Sequence, residues 1–218
     1  MKIGVLGTGD VGRALGNAFL KLGHEVMMGA RQTPHAKAQD WAKAAGPHAK
    51  TGTFADAARF GEVIVVATLG TATEEALKQA QVEHFNGKLV IDTTNPLDFS
   101  RGMPPSLFVG TTDSLGERIQ RLLPRAHVVK AFNTVGNAHM FKPAFVGGPP
   151  DMFICGDNED AKKLMGQLLR DFGWGVIDIG GISGSRYLEP MCLTWVLHGI
   201  RSGSWNHAFK MLREPARS

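Results

Sequence analysis

The sequence predicts an α/β fold: a doubly wound, mostly parallel sheet with a small helical segment at its C-terminus. Short apolar runs of strand length alternate with stretches of helical periodicity along most of the 218 residues. A glycine cluster, GTGDVG from Gly7 to Gly12, sits where the first apolar run gives way to the first helical pattern. A hydrophobic content of 43% in a chain of this length is enough for one substantial core.

The elements follow in order. KIGVLG reads as a strand buried on both faces, and Val11, Leu15, Ala18, Phe19 and Leu22 then recur at the spacing of one helix face. Gly23 supplies a stop and HEVMMGA a second strand, which completes a strand–helix–strand unit. FADAARFG is a helical turn before EVIVVATL (Glu62 to Leu69), the strongest strand signal in the chain, and TATEEALKQAQVEHF after it is helix-like. A strand at Lys88 to Asp92, a helix in SLGERIQRLLP and a strand in HVVKAFN repeat the pattern. DMFICGDNEDAKKLMGQLLRDFGWGVIDIG adds strand, helix and strand, with acidic residues at the helix start. Pro and Gly in FKPAFVGGPPD mark a flexible loop. Beyond Gly181 the periodicity is helical, interrupted by Pro190 and RSGS, and Leu193, Trp195, Val196 and Ile200 are packing residues.

Composition excludes several classes of function. The net charge of +4 is scattered without a basic block, which argues against nucleic acid as a partner. No stretch approaches the roughly 20 apolar residues of a membrane span, and the N-terminus lacks a signal-peptide pattern. Cys155 and Cys192 stand far apart without metal-ligand spacing, so no metal site is expected, and both read as small core residues of a cytoplasmic protein.

The position of GTGDVG gives it chemical meaning. In a Rossmann-type sheet, Gly7 permits the tight turn, Gly9 lets a pyrophosphate approach the backbone, and Gly12 lets the helix lie close to the strand. At the end of the second strand, GARQ offers Arg31 where an NAD site carries a carboxylate, which selects NADP. The guanidinium of Arg31, the hydroxyl of Thr8 and the charge of Lys37 then suit the 2′-phosphate. Residues 1–181 accordingly form the NADP-binding unit, and 182–218 a helical cap packed on it or at a dimer interface.

Ligands in such a sheet lie beyond the carboxyl ends of the strands, so four loops should converge. They carry Gly7 to Gly12; Thr68, Leu69 and Gly70; Asn95 and Pro96; and Asn133 and Thr134. Asn95 precedes a proline and is biased toward an extended backbone, while Asn133 and Thr134 offer neutral groups suited to a nicotinamide carboxamide. Hydride transfer between rings depends on placement and exclusion of water, and no catalytic side chain is assigned. A carbonyl reductase would need a general base, for which Lys130, His139 and His198 are the candidates. Alternation of Lys130 with Val129 and Ala131 in a strand can turn it away from the cofactor.

Several separated segments, KIGVLGTGDVGRALGNAFLKLGHEVMMGAR, VVKAFNT, ICGDNEDAKK and DIGGISGSRYLEPM, resemble in order and spacing the NADP-dependent oxidoreductases that reduce the deazaflavin coenzyme F420. The resemblance runs from residue 1 to about 212 and implies a homodimer passing hydride between NADPH and a deazaflavin. It implies that Thr8, Gly9, Asp10 and Val11 line the pyrophosphate, that Ala30 and Arg31 line the 2′-phosphate, and that Asn95 and Ala131 lie near the nicotinamide. Archaeal members tend to carry His where this chain has Asn133. The KAFN segment also resembles the cytosolic NADPH-binding part of membrane ferric reductases, which hand electrons to a flavin. The acceptor is therefore a small redox molecule, a deazaflavin first, with a flavin, ferric or small-carbonyl reductase, or an NADPH-binding sensor, as the alternatives.

Overall fold

A computed structural model describes residues 1–214. The chain runs β1 (Lys2–Leu6), α1 (Asp10–Lys21), β2 (Glu25–Ala30), α2 (Ala36–Ala45), β3 (Ala49–Thr53), α3 (Phe54–Phe60), β4 (Val63–Val66), α4 (Thr73–Gln79) and β5 (Leu89–Asp92). A short antiparallel pair, β6 (Leu97–Asp98) and β7 (Ser106–Leu107), precedes α5 (Leu115–Leu122) and β8 (His127–Lys130). Then come β9 (Asp151–Gly156), α6 (Glu159–Asp171), β10 (Gly175–Asp178) and α7 (Ser185–Ser202).

Eight strands form one sheet in the order β10-β9-β8-β5-β4-β1-β2-β3. β1 lies between β2 and β4 and is parallel to both, so the winding reverses there. β9 runs antiparallel to β8 and carries β10 with it. Central strands are apolar on both faces: Ile3, Val5, Val63, Val65 and Ile91 pack with Leu15, Phe19, Met165 and Leu169 of α1 and α6. Leu6, Ile64, Val66 and Val90 face the other way, onto Ala57, Leu77 and Ile119 of α3, α4 and α5. Helices thus cover both faces, as a buried parallel sheet requires.

The structure adds and corrects elements. α2 and β3, between the second predicted strand and FADAARFG, escaped the pattern reading because they carry little apolar signal. α2 buries Ala38 and Trp41, and β3 lies at the sheet edge with Gly52 its one buried residue. The helix predicted through TATEEALKQAQVEHF ends at Gln79, and Gln81 takes φ 65° before a 3₁₀ turn at Val82–Phe85. α7 continues through Pro190 instead of stopping, although proline removes the N–H that would bond the Arg186 carbonyl. α7 ends at Gly203 in the left-handed region (φ 66°), and the segment from there to residue 214 is irregular where helix was expected. That segment folds back on α7: Trp205 lies 5.2 Å from Trp195 between ring centres, and Trp195 Nε1 donates to the His207 carbonyl at 3.0 Å. Ile200 is exposed, not packed, and Leu193 is half-buried. The last four residues of the expected cap, 215–218, lie outside the described residues.

Candidate functional site

A cleft of about 870 Å³ opens at the carboxyl ends of β1, β2, β4 and β5, spanning the reversal at β1. Its first wall is the turn between β1 and α1. Gly7 takes φ 127°, and a Cβ there would lie 2.3 Å from the Ala67 carbonyl oxygen, so the turn accepts glycine alone. A Cβ on the buried Gly12 would lie 2.3 Å from the Gly7 carbonyl oxygen, which is how closely α1 approaches the strand. Gly9 differs: it faces open space, and as N-cap of α1 it offers no side chain to bond the first amides of the helix. Those amides and the positive end of the helix dipole are therefore free to receive an anion. Thr8, Gly9, Asp10 and Val11 line the cleft, and Asp10 is paired with Arg13.

At the end of β2, Ala30 and Arg31 line the same cleft, joined by His35. His35 Nδ1 accepts from the Ala38 amide at 3.4 Å as the cap of α2, which leaves the ring proton of the neutral side chain on Nε2. Lys37, expected to contribute charge, lies exposed in the first turn of α2 and is not part of the cleft wall. The helix start that sequence reading missed brings His35 inward and carries Lys37 away.

The third wall follows β4. Thr73, fully buried, donates its hydroxyl proton to the Leu69 carbonyl at 3.0 Å, so in its 2.9 Å contact with Thr68 it accepts. Thr68 thus spends its proton inside the wall and presents acceptor lone pairs to the cleft. Gly70 touches the floor, since a Cβ on it would lie 2.1 Å from the Asn95 carbonyl oxygen.

The floor is the segment after β5, where Thr93, Thr94 and Asn95 line the cleft and Pro96 is buried behind it. Asn95 Nδ2 donates to the Asn133 carbonyl at 2.8 Å, and Asn133 Nδ2 returns a bond to Asn95 Oδ1 at 3.0 Å. Asn133 and Thr134 are buried behind this floor, while Asn137, which sequence reading passed over, reaches the cleft wall. Ala131 belongs to the core, its amide bonded to the Asp92 carbonyl at 3.0 Å, and does not line the cleft. Phe132 takes φ 61°, and that kink separates Ala131 from the residues that back the floor.

Two large apolar side chains, Leu69 and Phe99, line the cleft and remain 76% and 52% exposed. Such surface suits a flat apolar ligand.

The base candidates fall away on geometry. Lys130 is wholly buried beneath the floor, 2.7 Å from Asp92 Oδ2, 3.0 Å from Glu189 Oε1 and 2.9 Å from the Thr94 carbonyl it donates to. Burial alone would lower its pKa, but the two carboxylates outweigh that and hold it well above the usual lysine value, so it stays charged. His139 bonds Asn206 at 2.9 Å, His198 packs against His207, and neither lines the cleft. Cys155 and Cys192 are buried free thiols, pushed up by burial to about 11 and about 12. No described helix is long and apolar enough to cross a membrane.

Over residues 2–96 the chain matches the family model described as NADP oxidoreductase coenzyme F420-dependent. The F420-dependent NADP reductase of Methanocaldococcus jannaschii is 31% identical over 203 residues, covering 88% of this chain and 89% of that protein. A crystal structure from Arthrobacter sp. fb24, assigned as an F420-dependent NADP-reductase, is 40% identical with a TM-score of 0.92 and covers 98% of this chain and 100% of that one. Metalloreductase STEAP3 of Rattus norvegicus is 28% identical over 195 residues, covering 88% of this chain, which spans 36% of that longer protein.

Proposed function

Because the chain belongs to the family of F420-dependent NADP reductases, and is thereby an NADP-dependent oxidoreductase, we propose that it passes hydride between NADPH and coenzyme F420 within this cleft. The observation that carries the proposal is the continuity of an anion cradle at Gly9, a pair of hydrogen-bond donors at Arg31 and His35, and an apolar mouth at Leu69 and Phe99. The free amides at the start of α1 fit the pyrophosphate, and Arg31 with the Nε2 proton of His35 fits the 2′-phosphate. The Asn95 floor then fits the nicotinamide. NADPH supplies the hydride when bound. Leu69 and Phe99 cover the acceptor ring and exclude water, and the buried Lys130 takes no proton.

The kinship with the rat metalloreductase supports a second reading with a flavin as acceptor. Anaerobic NADPH oxidation, followed optically with F420, FAD and FMN offered separately and NADH as control donor, decides between them. Rapid turnover with F420 alone is expected; turnover with a flavin alone favours the second reading, and binding without turnover defeats both. The exposed Tyr187, Leu197 and Ile200 of α7 support a homodimer, and the two free thiols suit the reducing cytoplasm.

A further inference from the structure

Two successive residues of α7 reach the cleft floor by separate routes. The Leu188 carbonyl accepts from Asn133 Nδ2 at 2.7 Å, and the same amide group donates to Asn95 Oδ1 at 3.0 Å. The Glu189 carboxylate lies 3.0 Å from Lys130 Nζ, which donates to the Thr94 carbonyl at 2.9 Å. Asp92 Oδ2 forms an ion pair with the same ammonium at 2.7 Å. Asp92 grips Thr94 from the other side, accepting from its amide at 2.9 Å and its hydroxyl at 2.7 Å. The peptide between Thr94 and Asn95 is therefore held at both ends, and both residues line the cleft.

Glu189 is itself fixed in place. It accepts from the Leu115 and Gly116 amides at 3.0 Å each, at the start of α5. A Cβ on Gly116 would lie 2.3 Å from Ser185 Oγ and 3.0 Å from Lys130 Cε, so α5, α7 and the lysine stem meet without slack. Arg186 of α7 closes the same contact, its Nε donating to Glu117 Oε2 at 2.8 Å. A buried ammonium between two carboxylates is a poor device for stability, because apolar side chains of similar volume hold a fold as well. What an apolar side chain cannot do is hold a backbone carbonyl in one orientation.

We infer that Lys130 is a positioning residue that carries the placement of α7 to the Thr94–Asn95 peptide and so orients the nicotinamide, an inference resting on the proposed seat of NADPH against Asn95. The reacting carbon of the ring is held in register from beneath, by a group that never touches it.

The test is Lys130→Met in the full chain, with NADPH fluorescence titration beside stopped-flow hydride transfer to F420. The phosphate contacts at Gly9 and Arg31 are untouched, so the NADPH Kd stays within about threefold of the parent, while kcat falls about tenfold or more through misplacement alone. The emission of bound NADPH, which reports the surroundings of its nicotinamide, moves toward that of free NADPH. Glu189→Gln keeps the side-chain length but weakens the acceptor that Lys130 and α5 share; it shows the same two changes, smaller, and serves if the methionine variant fails to fold. Parental emission and kcat in either soluble variant, even with a lowered Tm, overturn the inference, because the lysine is then only structural. Parallel loss of NADPH binding and kcat overturns it as well. A parent protein whose NADPH emission never changes defeats the proposed cofactor seat itself, and that failure is seen before any variant is made.

Discussion

Asn95 and Asn133 exchange hydrogen bonds in both directions, side chain to carbonyl at 2.8 Å and side chain to side chain at 3.0 Å. Both Nδ2 protons of Asn133 are spent, on Asn95 and on the Leu188 carbonyl, while its Oδ1 is buried without a protein partner. Truncating the side chain leaves the Leu188 and Asn95 oxygens without that donor, at a cost of about 1–3 kcal/mol for a buried polar group. Asn133→Ala should lower Tm and lower kcat with F420, with the NADPH Kd within about threefold of the parent, since the affinity resides at the phosphates. A thermal melt and a steady-state KM against kcat comparison check it; an unchanged kcat contradicts the placement of the nicotinamide on this floor.

Arg31 stands at the end of β2 in the cleft wall, where the fold distinguishes the two cofactors. Arg31→Ala should weaken NADPH by about 1.5–3 kcal/mol, the worth of a charge-assisted hydrogen bond, and leave NADH little changed. Calorimetric titration with both nucleotides measures the difference. Equal losses for the two would remove the 2′-phosphate from Arg31.

The glycines of the first turn should separate binding from folding. A Cβ on Gly9 meets no protein atom within 4 Å, so Gly9→Val should melt near the parental Tm and bind neither NADPH nor NADH, its methyl groups standing in the proposed seat of the pyrophosphate. Gly12→Ala drives a Cβ to 2.3 Å from the Gly7 carbonyl oxygen and should lower Tm instead. A Gly9→Val protein that binds NADPH normally would make the glycine cluster an ordinary turn.

Acid stability should depend on Asp113. Burial alone would raise its carboxyl, but Arg118 Nε at 2.9 Å and Arg121 Nη2 at 2.9 Å outweigh that and hold it at about 2. Its value in the unfolded chain is about 3.9. A depressed carboxylate contributes stability that is fully present above the unfolded value and is lost as the pH falls through about 4 toward about 2. Asp113→Asn should therefore flatten the fall of Tm between about pH 5 and about pH 2. An acid limb identical to that of the parent would show that other carboxylates set it.

The unit β1–α1–β2 was legible in the sequence because it obeys local rules: a strand apolar and buried from Ile3 to Leu6, a glycine turn and one apolar helix face. α2 and β3 were not, since a strand at the sheet edge and a helix that buries Ala38 and Trp41 need little apolar pattern. That gap bears on the site as well, for the start of α2 at Ala36 places His35 on the cleft wall and Lys37 off it. Arg31 and Asn95 could be placed at the cleft wall from sequence because strand ends fix their position. The role of Lys130 was hidden, because Asp92, Thr94 and Glu189 come together through strand pairing and through α7, contacts that no local spacing reports. Ala131 and Asn133, both expected at the nicotinamide, lie off the cleft wall on either side of Phe132, whose left-handed backbone side chains seldom adopt and nothing in KAFN signals.

The reversal of β9 also settles how the molecule can be held. With Val129 opposite Gly156 in an antiparallel pair, the chain leaves β9 heading past the start of β8, where Asp157 and Asn158 lie beside Ala126 and His127, and α6 begins at the end of the sheet opposite the cleft. Lys163, in the first turns of α6, is 75% exposed there. A protein tethered to an electrode or a resin through that amine would turn its cleft outward, open to both redox partners. An attachment at the Leu69 or Phe99 lip would place the support across the entrance.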